Sequence, residues 1–226
     1  MTPIKIIETS DGSQSLFHEE LNETYHSTHG ALTESEHVFI KHGLDYLNNS
    51  GKNQINILEV GFGTGLNALL TQGYATLNTE LRVDYVTLEP FPLKEELIAE
   101  LKYYELLKDQ VSKEDFLQLH ACQWEQKHVL NDSLFFTKHQ TTLQEFNSDI
   151  LFDLVFYDAF APSKQAEMWD FEVLKKLTNK MASGGVLVTY CARGQFKRDL
   201  AALNMSVETL SGPPGKKEMV RGTLSS

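Results

Sequence analysis

From residue 55 onward, short apolar runs alternate with segments of helical periodicity. Residues 55–60, 83–88, 152–157 and 186–190 are near-continuous apolar runs, as expected of strands covered on both faces. Between and after them, residues 66–77, 93–107, 171–181 and 196–203 carry apolar side chains at helical spacing. Gly184-Gly185 follows the third of these and predicts its end. Residues 127–138 read as a hairpin turning at Asn131-Asp132-Ser133. Residues 205–210 and 218–224 predict two closing strands joined through Gly212-Pro213-Pro214-Gly215. Ahead of this alternation, residues 34–47 form an amphipathic helix whose apolar face is Val38, Phe39, Ile40, Leu44 and Leu47. Residues 1–33 are polar and mixed. The pattern predicts an α/β, Rossmann-like fold, a mostly parallel sheet with helices on both faces. Residues 1–50 are expected to be an N-terminal extension and helix contributing to the site, and 51–226 the Rossmann-like domain.

Composition fits this picture. The chain has 226 residues, 41% of them hydrophobic, enough for one sizeable core. No stretch approaches the ~20 apolar residues of a membrane span, and the start lacks the apolar segment of a signal peptide. Cys122 and Cys191 are the only cysteines, with no CxxC spacing, which points to a reducing, cytoplasmic setting. The net charge of −11 argues against nonspecific nucleic-acid binding. The charge is uneven, however. Residues 1–60 hold three basic and nine acidic side chains, residues 190–226 six basic and three acidic. The basic end is either a solvated tail or a local basic patch.

The first chemical signal is Glu59-Val60-Gly61-Phe62-Gly63-Thr64-Gly65-Leu66-Asn67, between a strand and a helix. Gly61 permits a tight turn, and Gly63 lets backbone approach a ligand. A dinucleotide fingerprint needs a small residue where Leu66 stands, so the GxGxG spacing favours S-adenosylmethionine over NAD or FAD. Glu89 ends the next strand, where a carboxylate can accept both ribose hydroxyls of an adenosine. The expected cofactor-binding residues are Glu59, Gly61, Gly63, Gly65, Asn67, Glu89 and Asp158.

The second signal begins at Phe152, where a buried run delivers Asp158 to a strand end, followed by Phe160 and Pro162. A carboxylate at that edge faces the cofactor pocket, and Phe160 is placed to stack on a flat acceptor. A bare helix cap at Asp158 is the competing reading, but the next helix starts only near residue 171.

The run DAFAPSKQAEMW (158–169) resembles the DGFAPxKNPxMW signature of the MnmC/MnmD family of tRNA (5-methylaminomethyl-2-thiouridine) methyltransferases. The likeness extends to EVGFGTGLN, LEPFPL (88–93), GPPGKKEMVRG (212–222) and the stretch from Tyr25 to Glu36, nearly the whole chain in order. It implies the seven-stranded methyltransferase form of the sheet. It also implies an S-adenosylmethionine-dependent N-methyltransferase that converts 5-aminomethyl-(2-thio)uridine to 5-methylaminomethyl-(2-thio)uridine at the tRNA wobble position. Asp158 is then the catalytic group, orienting the amine and stabilising the charge that moves onto nitrogen. Tyr25, Phe160, Pro162, Lys164, Met168, Trp169, Lys216 and Lys217 are the expected substrate-binding residues; Lys164, Lys216, Lys217 and Arg221 are candidates for phosphates. The resemblance implies a stand-alone methyltransferase and leaves room for a separate FAD-dependent oxidase in the same pathway; the sequence does not fix the oligomeric state, and a monomer is the favoured expectation. The chain departs from the family at Thr137-Lys138, where many members carry Gly-Asp for the adenine amino group.

Three other readings compete. His26, His29, His37 and His42 match no closed zinc site, so no metal is expected. A methyltransferase or aminopropyltransferase-like enzyme acting on a small amine suits the acidic charge. A non-catalytic S-adenosylmethionine-binding protein predicts cofactor binding without methyl transfer.

Overall fold

The structure is a computed structural model and describes residues 4–225. Eight strands form the central sheet. They are β4 (Gln54–Val60), β5 (Arg82–Leu88), β6 (Lys127–Asn131), β7 (Leu134–His139), β8 (Phe152–Tyr157), β9 (Met181–Thr189), β10 (Met205–Ser211) and β11 (Glu218–Leu224). Their order across the sheet is β10-β11-β9-β8-β4-β5-β7-β6. Strands β7, β5, β4, β8 and β9 run parallel; β11 lies antiparallel between β9 and β10. These make the seven strands of the expected sheet, and β6 adds an antiparallel eighth at the edge.

The apolar runs become central strands because both faces are covered. Every residue of β8 is buried, as are the last four of β4 and β5. One face packs on α3 (Leu66–Leu77), α6 (Lys113–Ala121) and a continuous helical rod over residues 31–49, the other on α7 (Phe171–Thr178) and α8 (Gly194–Ala202). The rod starts as α1 (Ala31–Ser35), widens to a π-helical stretch at Glu36–Leu44 and ends as α2 (Asp45–Asn49). There the Asp45 N–H bonds Ile40 O, five residues back. Gly43 lets the rod press on the sheet: a Cβ there would lie 3.1–3.3 Å from Val188, Phe156 and Leu154.

The structure corrects several sequence expectations. Residues 1–33 are not featureless: β1 (Ile4–Glu8), β2 (Gln14–His18) and β3 (Glu23–Thr24) form a separate antiparallel sheet. The single helix expected over 93–107 is two short ones, α4 (Glu95–Glu100) and α5 (Tyr103–Leu106), because Leu101 turns extended between them. The helix from 171 stops at Thr178. Gly184-Gly185 lie within β9, where the ladder with β8 shifts register, and do not close the helix. Helix α6 has no counterpart among the expected elements, although Ser112 and Asp115 form a reciprocal capping box at its start.

The chain lays down β4, moves to β5 and β7 on one side, then returns to β8 and β9 on the other. The switch of direction falls between β4 and β8, the place where open α/β sheets bind ligands at strand carboxyl ends.

Candidate active site

A cavity of about 1470 Å³ opens at that edge. Its floor is the ends of three strands, β8, β4 and β5, held side by side by a continued ladder. Asp158 N–H donates to Val60 O at 3.1 Å, and Gly61 N–H to Leu88 O at 3.0 Å. Gly61 has φ +97°, and a Cβ there would stand 2.8 Å from the Asp158 carbonyl oxygen, so no side chain fits. Gly63 and Asn67 line the same wall. Glu89 accepts from Gly63 N–H at 3.0 Å with one oxygen and from Phe91 N–H at 2.9 Å with the other. Those two bonds fix the carboxylate and leave lone pairs directed at the cavity it lines.

Asp158 is half-buried at the end of β8. Asn67 Nδ2 donates to its Oδ2 at 2.9 Å. Burial pushes its carboxyl up from 3.8 to about 7, and the Glu34 charge adds to this; the Asn67 bond and the Lys216 charge work in the opposite sense. It therefore sits near the midpoint of its titration at neutral pH.

The acceptor side of the cavity comes from both ends of the chain. Tyr25 and His18 pack edge-on to Phe160, with ring centroids 5.0 and 6.3 Å apart. Lys216 forms an ion pair with buried Glu34 and lies 3.7 Å from the Tyr190 ring centroid. Glu34 Oε2 also accepts from Ser27 N–H at 2.7 Å, and the Tyr190 hydroxyl donates to Ala159 O at 2.8 Å.

Of the expected site residues, Gly61, Gly63, Asn67, Glu89, Asp158, Tyr25, Phe160, Lys164, Met168 and Lys216 line this one cavity. Five stand elsewhere. Glu59 is wholly buried beneath the glycine loop, its Oε2 accepting from Thr87 Oγ1 at 2.7 Å. Gly65 starts α3 and faces His120, not the cavity: a Cβ would meet the ring at 2.9 Å. Pro162 shapes a turn in which Lys164 and Gln165 N–H groups donate to Ala161 O. Trp169 is 8% exposed and packs edge-on to Tyr157 and Phe196. Its Nε1 donates to Phe160 O at 2.8 Å, so it holds the Phe160 loop from behind. Lys217 is exposed on the loop beyond Lys216.

The adenine substitution also reads differently in three dimensions. Lys138 is buried, bonded to His120 O and 4.6 Å from the Trp124 ring centroid. Its burial lowers its pKa to about 8. Beside Glu89 the strand ends instead at His139, whose carbonyl accepts from Glu89 N–H, and the cavity wall there is Thr141, Thr142, Leu143 and Gln144. Sequence reasoning missed His18, Glu34 and Tyr190 as site residues. Tyr190 follows directly on a parallel strand next to β8, a position that could have singled it out. His18 lies on a strand that gave no periodic signal. His26 and His29 line the cavity, whereas His37 bonds Ser211 O on the outside; among the described residues no His, Cys, Asp and Glu group is arranged to hold a metal.

Comparison with known proteins agrees with this geometry. Residues 101–225 match the family described as S-adenosyl-L-methionine-dependent methyltransferase. The tRNA 5-methylaminomethyl-2-thiouridine biosynthesis bifunctional protein MnmC of Leptospira interrogans is 32% identical over 92% of the chain. The protein of the same name from Cupriavidus metallidurans is 30% identical over 97%. The chain spans about a third of the length of these relatives, 33% and 34% respectively. The crystal structure of MNMC2 from Aquifex aeolicus superimposes with a TM-score of 0.81 at 25% identity, covering 100% of this chain and 72% of that one. The glycine loop, the fixed Glu89 carboxylate and the strand order lead to the same place as the family match: the chain belongs to the S-adenosyl-L-methionine-dependent methyltransferases.

Proposed function

We propose that this chain methylates the primary amine of 5-aminomethyl-uridine, with or without 2-thiolation, at the tRNA wobble position. The observation that carries the reading is the placement of Asp158 in the same cavity as the glycine loop and Glu89. The names of the relatives, whose full length the chain does not span, supply the substrate class.

The residues present fit the cofactor. The cradle at Gly61 and Gly63 admits no Cβ without a clash or close approach, and Glu89 is tethered by backbone with acceptors to spare. Glu89 would hold the ribose hydroxyls and the glycine loop the amino-acid end. Bound there, S-adenosylmethionine supplies an electrophilic methyl group on a sulfonium sulfur.

The protein's own part is to present an uncharged nitrogen. An alkylamine with a pKa of ~10 arrives mostly protonated, and only the neutral form has a lone pair to attack. The cavity wall carries Glu20, Glu23, Glu34, Glu89, Glu96, Asp158 and Glu167 against Lys94, Lys164 and Lys216, so it draws in a cation. Asp158, poised near 7, accepts a hydrogen bond from the amine and can pass its proton through water to solvent, which returns the carboxyl to its ionised form before the methyl group moves. As the nitrogen–carbon bond forms, the same carboxylate stabilises the positive charge left on nitrogen. Phe160, braced by Trp169 and edged by Tyr25 and His18, offers a flat face for the uracil ring.

The acidic wall repels phosphate, which assigns backbone contacts to the rim. Lys164 and exposed Lys217 remain candidates there. Lys216 does not, because Glu34 and Tyr190 already occupy it.

The test is nucleoside mass spectrometry on tRNA bearing aminomethyl-uridine, incubated with labelled cofactor. A labelled methylaminomethyl nucleoside is expected. Methylation of free small amines but not of this tRNA would move the function to a small-molecule acceptor.

A further inference from the structure

Glu59 precedes the glycine loop, yet its side chain never reaches the cavity. Only one of its oxygens has a clear donor, Thr87 Oγ1. Among the described residues, its other oxygen, Oε1, is buried without a hydrogen-bond partner, and so are Asn67 Oδ1 and the Tyr85 hydroxyl on two of the groups that act on it. The groups acting on the Glu59 carboxyl are Thr87, Asn67, Tyr85 and Asp158, none of them a cation.

Asn67 explains why this matters. Its amide acts on two carboxyl groups, and one N–H of its NH2 is given to Asp158 at 2.9 Å. Of what remains, one N–H and the carbonyl oxygen, it is the oxygen that has no partner. An ionised Glu59 is only an acceptor and cannot serve that oxygen. A proton on Glu59 supplies the donor that Asn67 Oδ1 lacks; the Tyr85 hydroxyl can donate to either form of the acid and does not decide between them. A wholly buried carboxyl with no cation beside it is best kept neutral on general grounds. Burial raises Glu59 to about 8; the Thr87, Asn67 and Tyr85 hydrogen-bonding groups work in the opposite sense, and the Asp158 charge adds to the rise.

We propose that Glu59 is a positioning residue, an uncharged carboxylic acid that donates its O–H to the Asn67 amide and so aims the Asn67 NH2 at Asp158. Of the two carboxyl groups, Glu59 is then the one that stays protonated when Asp158 ionises. The consequence for turnover rests on the methyl-transfer reading above; the protonation itself does not.

Infrared difference spectra at neutral pH, with Glu59→Gln and Asp158→Asn as subtractions, read the proton directly. A protonated-carboxyl C=O band is expected in the wild-type chain, absent from Glu59→Gln and retained in Asp158→Asn. No band lost in Glu59→Gln, or the only such band lost in Asp158→Asn, overturns the proposal. Turnover and binding of S-adenosylhomocysteine by calorimetry give the second arm. Glu59→Ala should lower kcat about tenfold, the size of one lost hydrogen bond in the transition state, with little change in binding. Glu59→Gln, neutral and still a donor, should recover most of that loss. If Glu59→Gln instead weakens S-adenosylhomocysteine binding as much as Glu59→Ala, Glu59 acts as an ionised cofactor ligand and the proposal falls. Should the wild-type chain fail to methylate the tRNA at all, the functional reading fails, while the band and the affinities still decide Glu59.

Discussion

Replacing Asp158 by Asn should make the protein more stable while removing its activity, and the gain should depend on pH. The folded chain holds the Asp158 proton up to about 7, whereas the ordinary value is 3.8. Between those values the folded state binds more protons than the unfolded one, so stability falls as pH rises. The penalty is absent below 3.8, grows from there, and is complete above about 7. The interval is roughly three pH units, and at ~1.4 kcal/mol per unit the full penalty is about 4 kcal/mol. Water in the open cavity reaches this half-buried side chain and screens it, so about 2–4 kcal/mol is the expected range. The amide of the Asp158→Asn variant keeps an acceptor for the Asn67 NH2, so the one hydrogen bond at that oxygen survives the change. Urea titrations at about pH 4 and about pH 8 measure it: the variant should match wild type at the lower pH and exceed it at the higher. In parallel, kcat should fall ~100–1000-fold with near-normal cofactor binding, as when one preorganised electrostatic group is removed. Equal stability differences at both pH values would refute the burial argument, and unchanged turnover would remove Asp158 from the chemistry.

Gly61→Ala places a Cβ 2.8 Å from Asp158 O at φ +97°, and should cost about 2–4 kcal/mol in denaturant unfolding and weaken cofactor binding; a wild-type midpoint would mean the two loops part easily. Trp169→Phe removes the donor to Phe160 O and should lower kcat/KM for the acceptor ~5–10-fold, with cofactor affinity measured by calorimetry unchanged. Lys216→Met leaves buried Glu34 without its cation and should destabilise the fold by ~3 kcal/mol without altering the salt dependence of tRNA binding, whereas Lys164→Ala or Lys217→Ala should each reduce that slope by roughly one. A reduced slope in Lys216→Met would return that residue to the phosphate contacts.

The central sheet was legible because its strands are buried on both faces and so write themselves as unbroken apolar runs; β4, β5 and β8 each fall within a residue of expectation. The small sheet β1–β3 was not, because its strands are at most five residues long and half-buried, with no clean alternation to read. The Phe171 helix was overextended because Met181, apolar and in phase, belongs to the following strand. At the site, types and positions were readable where a strand end dictated them, as at Asp158, Glu89 and the glycines. Direction was not. Trp169 and Glu59 sit in informative motifs but point into the core, and only packing decides that. Lys216 reads in the sequence as a phosphate contact, but its partner Glu34, distant in sequence, lies beside it.

That partner is 182 residues away, and the ion pair fastens the loop before β11 to the first helical turn of the chain. During synthesis, Gly61, Gly63 and Glu89 leave the ribosome well before Gly215 and Lys216, but the β8 strand end that Gly61 packs against and the β11 strand that pairs with β9 follow later. Loss of the segment from Gly215 onward would take β11 out from between β9 and β10 together with Lys216, so the recipient's wall and the sheet stand or fall together.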